Sequence, residues 1–167
     1  MKNLIVAALV CLGLSGCLGY HIGPAKPNYL HDVHTIAIPT FENKTLIPRV
    51  EVLVTSTVIK QFQQDGTFRI GNGDSADATL KCEITSISRS PARSVLGNVL
   101  ATTEFNLGMR VRYRLAGPNG KMLKEGEVSG TTSFFVGTDV TTDERQALPL
   151  AAEELATQLV TQVSEGW

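Results

Sequence analysis

The chain has 167 residues and a net charge of −1, with 43% of residues hydrophobic and 19% charged. The length suits one domain with a real core, and the near-neutral balance argues against nucleic acid as a general partner. Three histidines and three cysteines leave little material for catalytic bases, metal centres or a disulfide framework.

The first elements concern destination. Lys2 gives a positive start, and Leu4 to Leu14 form an uncharged apolar run. That run is about half the ~20 residues a spanning helix needs, so residues 1–16 read as an export signal. The run ends in Leu14-Ser15-Gly16-Cys17, which resembles the lipobox of bacterial lipoproteins. The resemblance implies acylation of the Cys17 thiol, cleavage just before it, and an anchor of several acyl chains. Leu18 stands where an inner-membrane retention signal places Asp. The implied destination is therefore the cell outer membrane, on its periplasmic side. Loss of Lys2 with the signal takes the side-chain charge from −1 to −2.

Residues 17–34 are expected to be the lipidated N-terminus and a flexible tether, since Pro24, Pro27 and two glycines follow no period. Such a segment spans roughly 20–25 Å on average. A single domain is expected over 35–167. It opens with a short strand, Thr35-Ile36-Ala37-Ile38, stopped by Pro39. Val50, Leu53, Val54, Thr57, Val58 and Phe62 then recur at helical spacing, predicting a helix over 46–64 that ends at Asp65-Gly66. Phe68-Arg69-Ile70 is a brief strand before a glycine-containing turn.

Three longer strands follow. In the first, Leu80, Cys82 and Ile84 alternate with Lys81, Glu83 and Thr85. In the second, Phe105, Leu107, Met109, Val111, Tyr113 and Leu115 take one face, and Glu104, Asn106, Gly108, Arg110, Arg112 and Arg114 the other. A Gly117–Gly120 turn leads to a third strand from about Met122 to Val136. Such alternation means one covered face and one face open or meeting a polar partner. The chain closes with a helix carrying Leu148, Ala152, Leu155, Leu159 and Val163 on one stripe. Thr142 or Asp143 is expected to cap it, and Pro149 either starts or kinks it. The fold class expected is α+β: a two-layer sandwich in which two helices pack on one face of a four- to five-stranded mixed sheet.

Few residues qualify for catalysis. His21, His31 and His34 lie in or beside the expected tether, where nothing fixes a ligand geometry, and the domain beyond residue 34 has no histidine to serve as general base. No enzyme, metal or cofactor is expected. Cys82, the one thiol left free, sits at an apolar strand position and reads as buried. The arginines are the distinctive feature. Arg110, Arg112 and Arg114 project from one strand face, and Arg89 and Arg93 lie in or after the preceding strand. Two readings stand: a row of planar forks that meets phosphate or carboxylate, or a solvated face whose charges blunt aggregation.

Four segments in order carry a wider resemblance: Thr35-Ile-Ala-Ile-Pro-Thr-Phe-Glu-Asn-Lys-Thr45, Phe62-Gln-Gln-Asp-Gly-Thr-Phe-Arg-Ile70, Ala76-Asp-Ala-Thr-Leu80 and Ile84-Thr-Ser-Ile-Ser-Arg-Ser-Pro91. Behind a lipobox and ahead of the closing helix, this series resembles the lipopolysaccharide-assembly lipoproteins of the LptE family. The resemblance implies a non-enzymatic plug and assembly factor inside an LptD-type outer-membrane β-barrel, forming a heterodimer that places lipopolysaccharide in the outer leaflet. It also implies contact with lipopolysaccharide through basic residues, which it does not align with the arginines above. The alternative is a periplasmic lipoprotein of similar fold that activates cell-wall (peptidoglycan) synthases.

Overall fold

The computed structural model describes residues 26–165 apart from 74, 96–97 and 138, with side chains described outside 94–102. The signal 1–16, Cys17 and His21 lie outside the described residues. Six strands form one mixed sheet: β1 Thr35–Ala37, β2 Glu42–Asn43, β3 Arg69–Ile70, β4 Ala78–Val95, β5 Asn98–Ala116 and β6 Met122–Phe135. The order is β3-β1-β4-β5-β6, and β2 pairs with β4 farther along the same edge as β1. β1, β2 and β3 make parallel pairings, while β4, β5 and β6 form an antiparallel meander. Two helices, α1 Val50–Asp65 and α2 Val140–Glu165, cover one face. The expected two-layer α+β sandwich is what the chain forms.

α1 buries Val50, Val54, Val58 and Phe62, a strict four-residue repeat that turns one stripe to the sheet. It starts after Arg49, a non-glycine residue at φ 64°, and stops at Gly66, φ 72°, whose N–H donates to the Phe62 carbonyl at 3.1 Å. Only glycine takes that left-handed position without steric cost. α2 begins at Val140 and runs through Pro149, so the helix neither starts at the proline nor ends there. The ring leaves the carbonyl four residues earlier without its helical donor. The cap is Asp139 rather than Thr142 or Asp143: its carboxylate accepts from the Thr141 N–H and the Thr142 hydroxyl. Asp143 instead accepts from the Gly137 N–H, fastening the strand-to-helix connection.

The core lies between the layers. Leu80, Cys82 and Ile84 of β4 and Leu107, Met109, Val111, Tyr113 and Leu115 of β5 share one core with the buried stripe of α1 and with Ala151, Ala152, Leu155, Ala156 and Leu159 of α2. The alanines let α2 lie close, and closest at Gly130 of β6. A Cβ there would stand 2.1 Å from the Ala151 carbonyl oxygen and 2.5 Å from the Leu155 nitrogen. Leu30 and Val33, within the segment expected as tether, are also buried in this core. Asp77 holds the entry by accepting from the backbone N–H groups of His34 and Thr35.

Among the described residues β6 is a free edge, the kind of strand that templates unwanted pairing. Lys124 points inward from it and donates to the Gln162 carbonyl at 2.6 Å. An inward charge on an edge strand is a known guard against edge-to-edge association.

Candidate functional site

The sheet face away from the helices is open, and pairing register decides what stands on it. The row at Arg114 reads Lys81, Arg114, Glu125 across β4, β5 and β6. The next row reads Glu83, Arg112, Glu127, and the next Ser86, Arg110, Ser129. β2 adds Glu42 alongside Glu83, with Lys44 just beyond. The three arginines expected to share a face do share it, and their side chains are more than half exposed.

They do not stand alone there. Arg110 pairs with Glu127 at 3.2 Å, Arg114 with Glu125 at 3.5 Å, and Arg112 with Glu83 at 3.9 Å. On this part of the face Lys44, Lys81, Arg110, Arg112 and Arg114 oppose Glu42, Glu83, Glu125 and Glu127, an excess of one positive charge. The Lys44 ammonium is held above its usual range by its hydrogen bond to Glu42 and by the charges of Glu42 and Glu83. Carboxylates therefore shape the field at that end. The surface is a mixed-charge lattice more than a basic stripe. Exposed pairs of this kind contribute only about 0.2–1 kcal/mol each, so a guanidinium here can exchange its carboxylate for another acceptor at little cost. Farther along, Ser86, Ser88, Ser129 and Thr131 ring Gly108 and make a shallow hydroxyl-lined hollow.

Arg89 and Arg93 stand apart from this row. A register shift between Ile84 and Ser86 lets Thr85 bulge out, which brings Arg89 opposite the core residue Leu107 and onto the helix side. There its guanidinium pairs with Glu144 of α2 and lies 5.0 Å over the Phe105 ring. Arg93 pairs with Glu104 toward the β4–β5 tip. Glu104 is six residues from Arg110 along β5, roughly 20 Å away. The five arginines therefore occupy three places.

The remaining candidates are structural. Cys82 is buried, and desolvation drives its thiol far above the usual range, the opposite of what a nucleophile needs. His31 is exposed and lies 3.3 Å from Asp32. Among the described residues no three His, Cys, Asp or Glu side chains converge on a metal position, and no helix is long and apolar enough to cross a membrane.

Comparison with known proteins adds a family and a fold. The family model for LptE, described as lipopolysaccharide-assembly, matches residues 33–163. No curated protein sequence matches the chain. Among solved structures, a protein from Xanthomonas campestris superposes with a TM-score of 0.58 at 11% identity, over 85% of this chain and 88% of its own. A hypothetical protein from Chlamydia trachomatis gives 0.57 at 10%, over 79% and 96%. A minor lipoprotein from Acinetobacter baumannii gives 0.54 at 15%, over 81% and 95%. At such identities the likeness is one of fold.

Proposed function

Because this chain belongs to the LptE family of lipopolysaccharide-assembly proteins, we propose that it is an outer-membrane lipoprotein, held at the periplasmic face by acyl chains on Cys17. Its domain seats as a plug in an LptD-type β-barrel, forms a heterodimer with it, and assists the placing of lipopolysaccharide in the outer leaflet. The observation that carries this reading is the family match over 33–163, which takes in the folded core from Val33 to Val163.

The physical surface agrees with it. A barrel lumen is polar, and a sheet face that alternates Arg, Lys, Glu and Ser can meet such a wall by exchanging its weak internal pairs for pairs across the interface. A polyanion would feel the four carboxylates among those cations. Arg110, Arg112 and Arg114 are therefore proposed first as contacts to the barrel wall, with lipopolysaccharide phosphate as the other acceptor they suit. Arg89 and Arg93, tied to Glu144 and Glu104, are proposed as contacts of the tip end. No chemical step is assigned to the chain.

Depleting the barrel protein tests the reading. A plug should be degraded without it, and its level on immunoblots should fall several-fold. An unchanged level would move the protein to the class that activates cell-wall synthases. Replacing Arg110, Arg112 and Arg114 together by Glu should weaken barrel association. Loss of lipopolysaccharide binding with barrel association intact would assign the row to the lipid instead.

A further inference from the structure

Both helices begin at the same end of the molecule, and between their first turns lies an open crevice of about 540 Å³. Leu46, Ile47, Pro48, Val50, Leu53 and Leu148 supply its apolar surface. Leu46 is fully exposed at 101%, in a loop where a polar residue would meet water at no cost. An exposed large apolar group beside an apolar crevice marks an interaction site more often than a lone surface leucine does.

The electrostatics of the crevice have a sign. Arg49 and Arg145 line it, and Glu144 is its one acidic lining residue. The Glu144 carboxylate is already engaged by Arg89. Nearby, Asp143 accepts from the Gly137 N–H and Asp139 from the Thr141 N–H and the Thr142 hydroxyl, while the Arg145 charge acts on Asp139 from beyond ion-pair distance. Neither Arg49 nor Arg145 forms an ion pair among the described residues. α1 opens at Arg49 with no side-chain cap, so the partial positive charge of its first turn adds to the two guanidiniums.

We infer that this crevice receives an apolar side chain flanked by carboxylates, presented by a segment of the barrel protein. The inference rests on the function proposed above and adds the surface and the chemistry of the contact. Size favours a polypeptide over a lipid. At about 540 Å³ the crevice is as large as a small-ligand pocket, which leaves ample room for the anchoring side chains of a peptide segment and falls short of a multi-chain glycolipid. Lys26, whose ammonium lies 4.8 Å over the Phe68 ring, is next to the C-terminal end of α1. The crevice is at the opposite end of that 16-residue helix, about 24 Å away.

The test uses the full lipidated chain co-expressed with its barrel protein. A benzophenone amino acid replaces Leu46, and irradiated complexes are digested and sequenced by mass spectrometry. In parallel, Leu46→Asp, Arg145→Glu and Arg145→Lys are compared for barrel recovered per tagged chain, with Lys121→Glu at the far end as control. The expected result is a crosslink to a barrel peptide with an apolar residue beside Asp or Glu. Recovery should fall tenfold or more for Leu46→Asp and Arg145→Glu and stay near native for Arg145→Lys and Lys121→Glu. Native recovery with both variants and no crosslink would overturn the inference, and so would a crosslink found only on lipopolysaccharide. If the unaltered chain recovers no barrel, the function proposed above fails, and this inference goes with it.

Discussion

Gly130 is where the two layers of the sandwich come closest, and adding one methyl there has a calculable consequence. A Cβ at this position would lie 2.1 Å from the Ala151 oxygen, 2.5 Å from the Leu155 nitrogen and 2.7 Å from the Leu155 Cβ. Two of these are helix backbone atoms and cannot rotate away, so α2 must retreat from β6 by roughly 1 Å to restore van der Waals distance. Overpacking of this kind costs about 1–3 kcal/mol. Against it stands a gain of about 0.4–1 kcal/mol, because alanine restricts the unfolded chain. The clash wins, and Gly130→Ala should lose about 1–2 kcal/mol net, or roughly 3–8 °C in Tm for a domain of this size. Gly108 is the internal control, on the open face of the neighbouring strand. Its Cβ would sit 3.6 Å from the Ser88 hydroxyl, an ordinary contact. Gly108→Ala should therefore be neutral or slightly stabilising. Urea and thermal unfolding followed by circular dichroism on the chain from residue 18 onward would measure both. A Gly130→Ala protein as stable as Gly108→Ala would refute the close seating of α2.

Three further outcomes follow from the same geometry. The Tyr113 hydroxyl donates to Gln162 Oε1 at 3.0 Å, so Tyr113→Phe should lower stability by about 1 kcal/mol, read from the urea midpoint. Burial and desolvation of Cys82 should make its reaction with a thiol reagent at pH 8 at least about 100-fold slower in the native protein than in urea; equal rates would mean the thiol is open. The Asp77 carboxyl is held below its usual range by the N–H groups of His34 and Thr35, and that of Asp139 by the Thr142 hydroxyl and the Thr141 N–H. A lowered carboxyl contributes stability that is fully present above its unfolded value and lost as pH falls through its folded value, so the urea midpoint should drop below about pH 4. Asp77→Asn should flatten that slope, and an unchanged slope would show that Asp77 does not hold the N-terminal entry.

The sheet and both helices were legible because their patterns are local. The alternation from Phe105 to Leu115 and the Val50, Val54, Val58, Phe62 repeat each announce one buried face. What escaped depended on pairing between distant segments. Counting outward from the Gly117–Gly120 turn, with Ala116 opposite Lys121, sets Arg112 against Glu125 and Arg110 against Glu127; that misses the register shift between Leu115 and Ala116 but already shows a mixed-charge face. The bulge at Thr85 carries no sequence mark, yet it is what brings Arg89 to the helix side and separates it from Arg110. Pro149 could not date the start of α2, because the signal was Asp139, ten residues upstream. Leu30 and Val33 looked like punctuation between prolines and became core, since the partners that cover them and the Asp77 carboxylate that fastens the following backbone are distant in the sequence.

If this chain is the partner of an outer-membrane barrel, the tagged, lipidated protein recovered from detergent-solubilised outer membranes should bring with it a large β-barrel protein in stoichiometric amount, retained through washing. Recovery of cell-wall synthases with no barrel would contradict that partnership.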